Sequence, residues 1–161
     1  MGTGKTTIGK LLAEKLNYTF VDTDHLIEEK YDISIPDYFK NYGEKNFRLQ
    51  ETEIAKELSN RQFLIIGTGG GMMINPINVS LLEKSGHIFC LTATAEEIYQ
   101  RVSQDLGTSR PLLAGNDPME RITTLLEERR ESYGKFTQIN TTGKQPKDIA
   151  NEIIHFNKSP P

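Results

Sequence analysis

The chain opens on "MGTGKTTIGK", a glycine-rich turn that runs straight into Ile8, Leu11, Leu12 and Leu16, which recur at helical spacing. Gly4, Lys5 and Thr6 match the second half of the phosphate-binding pattern G-x-x-x-x-G-K-[ST]. In that pattern a strand delivers a glycine turn whose backbone N–H groups cradle phosphates at a helix N-terminus. Lys5 can then reach the β- and γ-phosphates, the Thr6 hydroxyl is placed to ligate Mg²⁺, and Gly2, Thr3, Gly4 and Thr7 complete the loop. Only half of the pattern is present: its first glycine would fall two residues before Met1, and the strand feeding the loop further upstream. The bland alternative is a glycine-rich tail that happens to precede a helix.

The remainder alternates strands with helices. "YTFVD", "FLIIGTGGG", "HIFCLT" and "TQINTT" read as short strands. Helical segments carry Phe47, Ile54 and Leu58, then start at Asn75-Pro76, at the capping box Thr94-Ala95-Glu96-Glu97, through Ile122, Leu125 and Leu126, and from Pro146 to about Phe156. Alternation of this kind implies an α/β fold, a three-layer arrangement of one parallel sheet with helices on both faces. Ligands in such sheets bind outside the carboxyl ends of the strands. Three strands end in residues suited to chemistry: the aspartates of "VDTD", the glycines of "GTGGG" and the threonines of "CLTAT". The stretch "SQDLGTSRPLLAGNDP", about 103–117, reads as a mobile lid loop.

Length and composition set limits. At 161 residues one domain, 1–161, is expected. A net charge of −3 offers no general polyanion surface, so nucleic acid is not an expected partner and functional cations should be locally focused. Cys90 is the single cysteine; in an apolar run it suits a buried hydrophobe better than a nucleophile. No stretch approaches the ~20 apolar residues of a membrane span, and no charged-then-apolar signal precedes the domain, so a cytoplasmic location is expected.

Several side chains could carry chemistry. Asp22 and Asp24 bracket Thr23, and in extended chain both would point the same way, towards a metal and an acceptor hydroxyl. A solvated turn with an Asx cap fits the same residues equally well. Glu44, Arg48 and Glu51 share a helix face; that spacing alone favours a surface salt-bridge ladder. Arg129 lies on the stripe of Leu125 and Leu126, where a charge is costly unless it meets an anion, whereas Arg130 points elsewhere. Tyr133, one turn on, packs rather than reacts. Arg110 in the loop could close over a transferring phosphoryl group, and Gly69, Gly70 and Gly71 can bring bare backbone close to a ligand.

In order, the P-loop, "DTD", "FRLQE", "GGG", "RPLL" and "ERRESY" resemble the shikimate kinases along essentially the whole chain. The resemblance implies a P-loop kinase of nucleoside-monophosphate-kinase-like fold that phosphorylates the 3-hydroxyl of shikimate with ATP and Mg²⁺, as a monomer in aromatic amino-acid biosynthesis. It assigns Asp24 to the substrate hydroxyls and as base, and Asp22 with Thr6 to the Mg²⁺ shell. Arg48 and Arg129 grip the substrate carboxylate, Glu51 orients Arg48, and Gly69, Gly70 and Gly71 line that pocket. Arg110 is the lid arginine, and Arg101 with Pro146 flanks adenine. Lys5, Asp24 and Arg110 are thus the expected catalytic groups. Two features depart from the family pattern. The segment between Arg101 and Arg110 is a residue or two longer than usual, and the first, central strand lies outside the chain as given. A start at an internal methionine would explain the latter, with an upstream stretch encoding that strand. The rival readings are a related small-molecule kinase such as a gluconate kinase, and a non-catalytic nucleotide-binding remnant.

Overall fold

A computed structural model describes residues 2–104 and 117–158. Its strands are β1 (Thr19–Asp22), β2 (Leu64–Gly67), β3 (Phe89–Thr92) and β4 (Thr137–Asn140). The helices are α1 (Lys5–Leu16), α2 (Thr23–Tyr31), α3 (Ile35–Leu58), α4 (Pro76–Glu83), α5 (Ala95–Gln104), α6 (Pro118–Gly134) and α7 (Pro146–Lys158), with one 3₁₀ turn over Met72–Ile74. β1 pairs in parallel with β2 so that Asp22 stands opposite Gly67, and β3 pairs in parallel with β4 so that Thr92 stands opposite Asn140. The α/β expectation is met, and all four expected strands form.

Side chains alternate along the strands as the pleat requires. Leu64, Ile66 and Cys90 pack into a core with α2, α3 and α4, around Ile27, Phe47, Leu58 and Val79. Ile65, Phe89 and Leu91 point the other way, into a second core with α1 and α7 around Ile8, Leu12, Ile139 and Ile149. Helices therefore cover both faces. Among the described residues the two strand pairs are not hydrogen-bonded to each other. A cavity of about 1030 Å³ is lined by residues of both β2 and β3.

Local sequence sets the helix starts. Asn75 caps α4 by accepting from Ile77 N, with proline at the first turn. The Thr94 hydroxyl accepts from Glu97 N ahead of α5. Asp117 caps α6 by accepting from Met119 N and Glu120 N. Two boundaries differ from expectation. Residues 103–104 of the expected loop belong to α5, and the helix of Phe47, Ile54 and Leu58 begins already at Ile35. The second difference arises because α3 is two helical segments joined at Gly43, whose φ of 77° breaks the periodicity. No helix among the described residues is long and apolar enough to cross a membrane.

Open space surrounds the position that a Cβ would take at Gly43, with nothing within 4 Å. Gly43 has φ 77° and ψ 165°, a region essentially reserved for glycine, so Gly43→Ala should cost only backbone strain, about 1–3 kcal/mol, and chemical denaturation should show that loss without a change in cooperativity.

Candidate functional site

The carboxyl ends of β1 and β2, the start of α1 and faces of α2, α3 and α6 converge. At α1 the backbone is set for an anion: Gly2 and Gly4 take φ of 65° and 88°, and no side chain caps the helix at Gly4. The first N–H groups of α1 thus lack the side-chain acceptor that most helices supply. Lys5 lies close enough to Asp24 and Cys90 to act on both electrostatically. Thr6 and Thr7 are exposed beside it.

Asp22 ends β1 and caps α2, its Oδ1 accepting from Asp24 N at 3.1 Å. Asp24 therefore stands on the first turn of a helix. The two aspartates are not alternate residues of one strand, and the expected extended geometry is corrected: the Asx cap is real, and it holds the second carboxylate in place. Asp24 Oδ1 is buried without a hydrogen-bond partner. Burial first, then the Asp22 carboxylate, hold the Asp24 carboxyl above its ordinary 3.8, against the pull of Lys5 and Arg48.

Arg48 donates to Glu51 Oε2 at 2.9 Å and to Glu44 Oε1 at 2.8 Å. This is not a surface ladder, since Glu51 is 1% exposed. Burial disfavours the Arg48 charge, but the hydrogen bonds to Glu51 and Glu44 outweigh it and hold the guanidinium more firmly protonated than an ordinary arginine. Burial likewise lifts Glu51 above 4.5 despite Arg48. Arg129 is half-buried on α6, with Leu125 buried below it, whereas Leu126 is largely exposed and Arg130 pairs with Glu127 at 2.9 Å on the outside. The stripe that carries Arg129 thus excludes Leu126. Among the described residues no carboxylate forms an ion pair with Arg129.

The glycine triplet joins these groups. A methyl on Gly69 would overlap Asp24 Oδ1, one on Gly71 would overlap an Arg48 guanidinium nitrogen, and one on Gly70 would lie 2.5 Å from an Arg129 guanidinium nitrogen. Each glycine is therefore packed against a different charged side chain, from a different helix. Three residues to which the sequence reading gives no such role, Tyr133 among them as a packing residue, fix this turn. Gly69 N donates to the buried Thr23 hydroxyl at 3.0 Å, the Asn78 amide donates to Met72 O at 2.9 Å, and the Tyr133 hydroxyl donates to Gly70 O at 3.0 Å. Thr23 lies inside "DTD", but nothing in one sequence marks its partner 46 residues away.

Arg101 reaches across from α5, donating to Glu97 at 2.7 Å, to Thr141 O at 3.0 Å and Oγ1 at 3.1 Å, and to Gly2 O at 3.3 Å. It ties the glycine loop to the end of β4, a few residues before Pro146. Cys90 is buried and free, and burial raises its pKa above 9.0, so it stays a thiol, as its apolar setting suggests. Arg110 lies outside the described residues, as does most of the expected lid.

A glycine loop on a helix start, with an acidic and a basic cluster at the ends of parallel strands, defines a P-loop phosphotransferase acting on a small molecule. The particular family follows from comparison. The shikimate kinase family model matches residues 1–158, and the chain belongs to that family. It is 44% identical over 156 residues to the shikimate kinase of Enterococcus faecalis, covering 96% of this chain and 92% of the relative. It is 42% identical over 155 residues to that of Thermodesulfovibrio yellowstonii, covering 96% and 88%. Its fold matches a shikimate kinase from Acinetobacter baumannii in complex with shikimate, with a TM-score of 0.88 at 36% identity over 99% of this chain and 91% of that one. A gluconokinase from Sinorhizobium meliloti shares the fold alone, with a TM-score of 0.55 at 14% identity over 99% and 93% of the two chains.

Because the folded state holds Asp24 in its protonated form more readily than the unfolded chain does, its contribution to stability is full below pH 3.8 and is lost as pH rises through the raised folded value. Asp24→Asn should therefore melt higher than wild type at pH 7, with the difference shrinking as pH falls towards 3.8. Thermal unfolding of both chains across that range measures it.

Proposed function

We propose that the chain transfers the γ-phosphoryl group of ATP to the 3-hydroxyl of shikimate, giving shikimate 3-phosphate. The observation that carries this reading is the glycine turn packed against one carboxylate and two arginines. It brings a hydroxyl acceptor and a carboxylate clamp together along three bare backbone residues. A small anionic polyol needs that pairing.

The residues present fit a nucleotide and a metal. Gly2, Thr3, Gly4, Lys5, Thr6 and Thr7 would hold the phosphates, through the uncapped N–H groups of α1 and the Lys5 ammonium. Arg101 and Pro146 would flank adenine. Thr6 would ligate Mg²⁺, and the Asp22 oxygen not engaged in capping would order its water shell. Among the described residues there is no cluster of three or more His, Cys, Asp or Glu that could hold a metal ion, which suits Mg²⁺, since that ion is commonly held by one or two protein ligands and the phosphates themselves. When bound, ATP supplies the phosphoryl group and Mg²⁺ neutralises charge on its oxygens.

The protein's own part is positioning and proton transfer. Arg48 and Arg129 grip the substrate carboxylate, with Glu51 holding Arg48 in its fork and Gly69, Gly70 and Gly71 setting how closely the ring approaches. Asp24 accepts a hydrogen bond from the reacting hydroxyl at its unpartnered Oδ1 and takes the proton. Its raised pKa makes it a stronger base than an exposed aspartate. Lys5 and Arg110 neutralise the phosphoryl oxygens. On this reading 1–161 works as a single domain and a monomer, in the cytoplasm where ATP is available.

ADP release from Mg-ATP by the purified chain, with and without shikimate, tests the proposal. Release should depend on shikimate and be lost in Lys5→Ala; release that ignores shikimate would sink the substrate assignment. Arg129→Ala should raise the shikimate KM by roughly 10- to 100-fold, the effect of losing a charged hydrogen-bond donor. Arg129→Lys should recover little of it, because a point charge does not replace the planar fork.

A further inference from the structure

We infer that Tyr133 is a positioning residue of the phosphoryl transfer, fixing the glycine turn against Arg129 through its hydroxyl; this rests on the proposed function. Tyr133 follows Arg129 by four residues on α6, so both side chains lie on one face. Both meet the same residue: the Arg129 guanidinium lies against Gly70, and the Tyr133 hydroxyl donates to Gly70 O at 3.0 Å. α6 therefore grips Gly70 at two points. The other bonds to this turn come from elsewhere, Thr23 at Gly69 N and Asn78 at Met72 O. Among the described residues, Tyr133 alone hydrogen-bonds the turn to the helix that presents Arg129.

The consequence is geometric. Gly70 has no side chain of its own to anchor it, so the Tyr133 bond and the Arg129 contact hold it against α6, and a turn free to shift alters the space between Arg129 and Arg48. That space is where the proposed carboxylate sits. Ring packing is a separate matter: Tyr133 meets Phe136 edge to face, with centroids 6.1 Å apart, and borders the core formed with α2, α3 and α4. Burial also raises the phenol above its ordinary 10.0, so the hydroxyl remains a donor at neutral pH.

The test separates hydroxyl from ring in the full chain. Tyr133→Phe keeps the packing and removes the donor; it should raise the shikimate KM about tenfold, the effect of one lost hydrogen bond, with the ATP KM and kcat within about twofold. Phe136→Leu removes the neighbouring ring but leaves the bond; it should lower the melting temperature while leaving the shikimate KM unchanged. An unchanged shikimate KM in Tyr133→Phe, or an equal rise in Phe136→Leu, overturns the positioning role while an active wild type upholds the kinase reading. A folded wild type that neither binds nor phosphorylates shikimate overturns both.

Discussion

The site depends on one steric constraint: three consecutive residues after β2 have no side chains, and each faces a charged group from a different helix. Asp24 of α2, Arg129 of α6 and Arg48 of α3 all occupy volume that a Cβ would claim. The helices can approach the strand end only because Gly69, Gly70 and Gly71 leave that volume open. Strand register sets the rest. Asp22 stands opposite Gly67, which brings Thr23 within hydrogen-bond reach of Gly69 N. A slip of one residue would exchange the faces of β2 and part these groups.

Around that turn the protein concentrates charge that its surface does not advertise. The whole chain carries −3, yet Lys5, Arg48 and Arg129 gather about Asp22, Asp24 and Glu51. Buried carboxylates are costly, and burial is the first cause of the raised pKa at both Asp24 and Glu51. Pairing with Arg48 offsets part of that cost for Glu51, but pairs of this kind seldom stabilise a fold relative to apolar side chains of the same size. Their value lies in a fixed guanidinium, held by Glu44 outside and Glu51 inside.

Much of this is legible in the sequence, and the remainder is hidden for identifiable reasons. The strands and the caps at Asn75, Thr94 and Asp22 are local, so residue order reveals them. The P-loop half, the paired aspartates and the arginines stand out because their chemistry is unusual for their positions. What periodicity does not give is depth. Glu51 looks like a rung on a helix surface, and only the packing of other elements against α3 makes it buried. Gly43 obscures α3, because a single left-handed residue shifts the phase of the hydrophobic repeat. The hydrogen bonds of Thr23, Asn78 and Tyr133 escape notice, and Tyr133 reads only as a packing residue, because each acts through a backbone atom outside its own turn, 46, 6 and 63 residues distant. Asn78 is the nearest of these, and still lies beyond a helical turn.

Two unpartnered oxygens show how the arrangement divides its labour. Asp24 Oδ1 and Glu51 Oε1 are both buried without hydrogen-bond partners, and each such group costs about 1–3 kcal/mol. Glu51 is held by Arg48 through its other oxygen, so its loss is fixed in the fold as the cost of an oriented arginine. Asp24 differs, because its free oxygen borders the glycine turn, where a hydroxyl can donate to it. A ligand carrying that hydroxyl relieves a penalty already present in the folded protein, so binding adds to stability by mass action. On the proposed function, the same unmet acceptor that weakens the free chain would favour an alcohol over a ligand with nothing to donate.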